Sequence, residues 1–216
     1  MNILIYGGTF DPPHTGHISM LRRGVEFVKD FGPLCVHVVP AWQSPTKVQP
    51  EASYGHRLKM CRMMIDLANQ PGYTMHDVDL VLDAYEGTVG DRVFSVDYVK
   101  HIHEASPSSC IWFLAGSDIL EYVYNWKNVN ELLRLCTLLV AIRPGYRIPY
   151  EMPGVEECIG CTRFLPRPTW DVSSTGVRQA LFTGRDAVED EGLPAEIFEY
   201  IKKEGLYRTD LTEKKT

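Results

Sequence analysis

The chain has 216 residues, 44% of them hydrophobic and 23% charged, proportions that exclude a disordered or fibrous protein and suit one compact domain. Its net charge of -6 argues against general binding to a nucleic-acid backbone, so a phosphate site, if present, is a local pocket. No apolar run approaches membrane-spanning length and the opening MNILIYGGTF lacks the pattern of a signal peptide, which gives the expectation of a cytoplasmic protein with no membrane partner.

Asn2 to Tyr6 is short, apolar and β-branched and runs into Gly7 and Gly8, the pattern of a buried parallel strand entering a tight loop. From Thr15 to Lys29, Ile18, Leu21, Val25 and Val28 recur at helical spacing and predict an amphipathic helix. Leu34 to Val39 reads as a second buried strand, stopped by Pro40, and completes a β-α-β unit. Ala41 to Ala52 contains prolines and Lys47 and reads as a loop. Ser53 is then a candidate cap for a helix whose buried side is Leu58, Met60, Cys61, Met64, Ile65 and Ala68.

Tyr73 to Met75 and Val78 to Leu82 are weaker strand candidates, Val93 to His103 a helix, Cys110 to Leu114 a strand leading into Ala115, Gly116 and Ser117, and Thr137 to Ile142 a strand ending at Arg143 and Pro144. Between Gly145 and Arg163 periodicity is lost and the segment reads as a surface excursion. Two short helices follow, one after Ser173 and Ser174 and one beginning at Pro194. Residues 1–207 are thus expected to form one α/β domain, a doubly wound, Rossmann-like parallel sheet with a small C-terminal helical part, followed by a charged tail over 208–216. Ligands of such sheets bind beyond the carboxyl ends of the strands, where the loops at Gly7, Gly116 and Arg143 fall.

Cys158 and Cys161 form a CxxC, but no second pair completes four ligands, and this pair is assigned neither a metal nor a redox role. His101 and His103 are assigned to a solvated helix surface.

The loop after the first strand reads Gly7-Gly8-Thr9-Phe10-Asp11-Pro12-Pro13-His14-Thr15-Gly16-His17. Its glycines permit close approach of backbone to a ligand, and the following helix presents unpaired N–H groups to an anion. His14 and His17 would share a face, although an isolated HxxH is better explained by capping or burial. A second string, Ser173-Ser174-Thr175-Gly176-Val177-Arg178, sets hydroxyls at a helix start with a guanidinium one turn on; alone it is a good helix start.

Together the strings resemble the GGTFDPxHxGH and SSTxxR signatures of nucleotidyltransferases. The context of Gly116-Ser117-Asp118, Trp126, Arg143-Pro144-Gly145 and the stretch from Leu193-Pro194 to Gly205-Leu206-Tyr207 is similar to that of nicotinate mononucleotide adenylyltransferases over nearly the whole chain. The resemblance implies transfer of AMP from ATP to nicotinate mononucleotide, giving deamido-NAD and pyrophosphate in NAD biosynthesis. It implies that Gly7, Gly8, Thr9, Phe10, His14, His17, Ser173, Ser174, Thr175 and Arg178 hold ATP, with Lys47 a further phosphate contact or a solvated loop lysine. Ser95, Gly116, Asp118, Trp126 and Arg143 would border the pyridine nucleotide. His14, His17 and Arg178 would serve catalysis, and Mg²⁺ would arrive with ATP, with no dedicated metal site.

The chain departs from the family where relatives carry a YTxxTL-like segment and this sequence has Phe94-Ser95-Val96-Asp97-Tyr98-Val99, and where PPHK is replaced by Ser44-Pro45-Thr46-Lys47. The first departure leaves nicotinate against nicotinamide open. Another phosphorylated acceptor such as phosphopantetheine, or a nucleotide-binding regulator without turnover, are the rival readings. Self-association is also left open.

Overall fold

The structure is a computed structural model that describes residues 1–43, 49–70, 75, 78–142, 161–165 and 172–207. Its first strand, β1 (Asn2–Gly8), is apolar without alternation because both of its faces are covered. Leu4 and Tyr6 point into one hydrophobic cluster, Ile3 and Ile5 into another on the opposite side. Around it lie β2 (Leu34–Pro40), β3 (Asp79–Leu82), β4 (Cys110–Gly116), β5 (Cys136–Ala141) and β6 (Thr162–Leu165). These form a parallel sheet in the order β3-β2-β1-β4-β5-β6, the doubly wound arrangement expected.

The helices divide between the two faces. On one pack α1 (Thr15–Lys29) and α2 (Tyr54–Ala68), joined by the two C-terminal helices, α6 (Ser174–Thr183) and α7 (Ala195–Glu204). On the other pack α4 (Ser95–Ala105) and α5 (Val129–Leu135), with short 3-10 turns at Ser117–Glu121 and Val123–Asn125; α3 (Tyr85–Val89) sits between β3 and α4 in the chain. Strand order reverses between β1 and β4, so the loops leaving Gly8 and Gly116 diverge and open a crevice. No described helix is long and apolar enough to cross a membrane.

Several boundaries differ from those expected. Ser53 stands at the N-cap of α2, but its side chain makes no capping bond. α4 begins at Ser95, two residues later than expected, because Phe94 is extended (φ -86, ψ 151). Pro194 is likewise extended (ψ 138) and precedes α7 without joining its first turn. The surface excursion expected from Gly145 to Arg163 ends earlier, since Thr162 and Arg163 belong to β6. Four residues at a sheet edge are too few to show a period, yet Leu165 and Phe164 still pack into the two cores. α3 was not expected at all; it is one turn long and closes on Gly90 in the left-handed region (φ 69). Most of the Tyr73–Met75 candidate strand, Cys158 and the 208–216 tail lie outside the described residues.

α1 lies close on the sheet at Gly24, where a β-carbon would stand 2.8 Å from Leu114 Cδ2 and 3.2 Å from Leu4 Cδ2. The substitution Gly24→Val is expected to lower stability by about 1–3 kcal/mol through overpacking, read as a lower urea midpoint at unchanged slope.

Candidate active site

At the end of β1 the chain turns sharply, with Phe10 at positive φ (50°) and its ring buried, and enters α1 through Asp11 to His14. His14 occupies the N-cap in an extended conformation (φ -144, ψ 175), and His17 is the third helical residue. The His14 N–H donates to His17 Nδ1 at 3.1 Å and the two imidazoles lie 3.8 Å apart between centroids. The two rings therefore act as one surface, as their spacing predicted. Gly16 is required between them, because a β-carbon there would meet Val172 Cγ2 at 2.7 Å and the His14 ring at 3.0 Å.

The second string meets the first in space. Ser173 caps α6 by accepting the Gly176 N–H at 3.1 Å, and Ser174 Oγ donates to the Pro12 carbonyl at 2.8 Å across 162 residues of sequence. Arg178 donates from Nη1 to the Asp11 carbonyl at 2.8 Å and from Nε to Glu51 Oε1 at 2.6 Å. Thr175 lines the same cavity. The start of α6 thus faces the loop that carries the two histidines.

Two residues that organise this end had no role assigned from sequence. The Asp11 carboxylate accepts the Glu51 and Ala52 N–H groups at 2.8 and 3.1 Å and the Tyr207 hydroxyl at 2.7 Å. Arg57 is only 1% exposed and donates to the carbonyls of Thr9 (2.8 Å), Ala41 (2.6 Å), Trp42 (2.9 Å) and Ala52 (3.2 Å). One guanidinium therefore holds the backbone of the loop after β1 and both ends of the loop between β2 and α2. Burial lowers its pKa, and the nearby Asp11 opposes that shift without cancelling it. A signal for Arg57 existed in the sequence, since it occupies the same helical stripe as Met60, Cys61 and Met64, where an apolar residue would be expected.

The crevice is one cavity of about 910 Å³. It is lined from the side of α1 and α6 by His14, His17, Ser173, Ser174 and Arg178, from the side of α4 and the 3-10 turns by Ser95, Asp118 and Trp126, and between them by Gly7, Gly8, Thr9, Phe10 and Gly116. Ser95 is the first residue of α4, Gly116 ends β4, and Asp118 lies in the 3-10 turn that follows. Trp126 is held edge-on against Phe113, with centroids 6.0 Å apart and planes at 78°. Lys47 and Arg143 lie outside the described residues. Among the described residues no cluster of three or more His, Cys, Asp or Glu side chains is placed to hold a metal ion.

Tyr98, at the departure from the family pattern, also lines the cavity, but its hydroxyl donates to Asp83 Oδ2 at 2.6 Å. His37 Nδ1 is 3.1 Å from both of those oxygens. Burial alone would raise the Asp83 pKa, yet the bonds from His37, Tyr98 and the Tyr85 N–H outweigh it and bring the carboxyl to about 2. Burial, followed by the Asp83 bond and charge, pushes the Tyr98 phenol upward. Glu86 behaves oppositely: burial carries its carboxyl to about 7, against the opposing bond from the Trp42 N–H at 2.8 Å and the charge of Arg57.

A family model described as cytidylyltransferase-like matches residues 5–180. The protein named probable nicotinate-nucleotide adenylyltransferase of Neisseria meningitidis is 31% identical, covering 94% of this chain and 96% of that protein. The protein of the same name from Oceanobacillus iheyensis is 28% identical over 94% and 95% of the two chains. Among solved structures, Plasmodium falciparum nicotinic acid mononucleotide adenylyltransferase complexed with NaAD matches with a TM-score of 0.74 at 21% identity, covering 95% of this chain and 97% of that one, a likeness of fold.

The Glu86 carboxyl sits above its ordinary value of 4.5, so the folded chain keeps this proton to about pH 7 while the unfolded chain has already lost it. Its contribution is favourable below pH 4.5 relative to higher pH, declines between 4.5 and 7, and levels off above 7. Glu86→Gln keeps an acceptor for the Trp42 N–H and removes this titration. Melting temperatures of the two proteins from pH 5 to 8 should diverge in favour of the variant as pH rises; parallel curves would show that Glu86 titrates normally.

Proposed function

The chain belongs to the cytidylyltransferase-like family, and from that premise we propose that it transfers the AMP part of ATP to nicotinate mononucleotide, forming deamido-NAD and pyrophosphate. The observation that carries this reading is the meeting of His14, His17 and the start of α6 at one end of a cavity whose other end holds Ser95, Asp118 and Trp126. The first end offers imidazoles, hydroxyls, backbone N–H groups and a guanidinium, a donor set suited to a triphosphate. The second offers an indole face for a pyridine ring and hydrogen-bonding groups for its ribose. The named adenylyltransferase relatives support the same acceptor, and residues 1–207 would supply the whole reaction unit in the cytoplasm.

The phosphate of the mononucleotide is already anionic, so the chain needs no side-chain nucleophile. A phosphate oxygen of the acceptor attacks the α-phosphorus of ATP in line, a new P–O bond forms, and the bond to the bridging oxygen breaks with its electrons leaving on pyrophosphate. His14, His17, Arg178 and the N–H groups of α6 are assigned to steadying charge as it spreads onto the phosphoryl oxygens and the leaving group. Arg178 would exchange the Glu51 carboxylate for triphosphate oxygens while retaining the Asp11 carbonyl. Mg²⁺ bound to the triphosphate would supply further neutralisation. Lys47 and Arg143 are kept as candidate contacts for phosphate and for the pyridine nucleotide on family resemblance alone. Because the Tyr98 hydroxyl is engaged by Asp83, the choice of ring substituent falls to its neighbours, Ser95 first among them.

Pyrophosphate release with ATP and Mg²⁺ should be fastest with nicotinate mononucleotide when compared with nicotinamide mononucleotide and phosphopantetheine at equal concentration. Preference for the amide would reassign the acceptor, and absence of turnover with all three would favour a regulatory role. In the same assay His17→Ala should lower kcat by about 10²-fold or more, the loss typical of one transition-state donor, with little change in melting temperature.

A further inference from the structure

The segment after α7 reaches back to the nucleotide end of the cavity. Gly205 turns in the left-handed region (φ 67), the Leu206 N–H closes the helix end on the Ile201 carbonyl at 3.0 Å, and Tyr207 follows, itself at positive φ (58°). Its side chain is 9% exposed and its hydroxyl donates to Asp11 Oδ1 at 2.7 Å in a buried bond. Asp11 is the point where the loop contacts converge: its carboxylate orders the N–H groups of Glu51 and Ala52, and its carbonyl docks Arg178 Nη1. On its other side stands Phe10, also at positive φ (50°). Two aromatic residues held in a backbone region that β-carbons disfavour flank one aspartate, which shows how strongly the surroundings fix this corner. An aromatic ring that only filled space would not need a hydroxyl aimed at a carboxylate.

We propose that Tyr207 is a positioning residue for the nucleotide end of the site, acting through Asp11 to hold the backbone on which Arg178 is docked. The proposal rests on the reading of Arg178 as a triphosphate ligand. Burial, then the charge and hydrogen bond of Asp11, push the phenol upward, so it remains a donor throughout the neutral range. The acceptor end, built from α4 and the 3-10 turns, is not tied to Tyr207 by any of these bonds, so the effect of losing the hydroxyl should fall on one substrate.

The test is steady-state pyrophosphate release by the full chain carrying Tyr207→Phe, which removes one oxygen and keeps the ring. KM for MgATP should rise about tenfold to a hundredfold, as for loss of one hydrogen bond to a charged group, while KM for nicotinate mononucleotide stays within about twofold. Since the hydroxyl acts through Asp11, the effects of Asp11→Asn and Tyr207→Phe on KM for MgATP should not add in the double variant. Leu206→Ala loosens the same segment without touching the hydroxyl and should leave KM for MgATP near the unmodified value. An unchanged KM for MgATP in Tyr207→Phe, an equal rise in both KM values, additivity with Asp11→Asn, or the same rise in Leu206→Ala would each overturn the proposal. If the unmodified chain turns over none of the acceptors, the functional reading fails, and calorimetric ATP affinity of the unmodified and Tyr207→Phe proteins still decides the positioning role.

Discussion

Arg57 occupies a place in α2 where the helix would ordinarily bury an apolar side chain, and its charge is matched there by four backbone carbonyls. A buried guanidinium is costly unless its donors are used, so the carbonyls of Thr9, Ala41, Trp42 and Ala52 are as constrained by Arg57 as it is by them. That reciprocity joins three segments that share no secondary structure: the turn after β1, the exit of β2 and the entry to α2. Glu86 adds to it from the far side by accepting the Trp42 N–H, so the same residue is gripped at both its amide and its carbonyl. The histidine pair and the start of α6 can face a common cavity because the backbone beneath them is held in this way.

The α4 side of the cavity is stabilised by a different device. Asp83, His37 and Tyr98 close a polar triangle between β2, the end of β3 and α4, and the low pKa of Asp83 is the sign that all of its bonds stabilise the ionised form. The phenol that replaces a threonine of the family pattern is therefore part of the wall. Its ring borders the cavity while its polar atom is used internally, which separates the shape of this end from its hydrogen-bonding capacity.

Much of the architecture was legible because it is written in local periodicity. β1 and α1 carry uninterrupted patterns, and the helix bounds Thr15 to Lys29 were found as expected; the two signature strings were also recognisable, and the structure brings them together. What escaped was short or long-range. β6 and α3 have four and five residues, too few for a period to emerge. The partners of the Asp11 carboxylate lie 40, 41 and 196 residues away, and no spacing rule links an aspartate in a loop to a tyrosine beyond the last helix. Arg57 was the exception among the residues missed, since a charged side chain in an apolar stripe is itself a visible anomaly.

The bonds of Ser174 to Pro12 and of Arg178 to Asp11 also bear on the order in which the protein acquires its shape. During synthesis β1 and α1 emerge long before α6, so this side of the cavity waits unclosed through most of translation. Contacts of such sequence separation form late because a large loop must be closed before they give any return. A partly made chain would thus present the glycine loop and both histidines without the helix that completes them. A closed cavity becomes a mark of completed assembly.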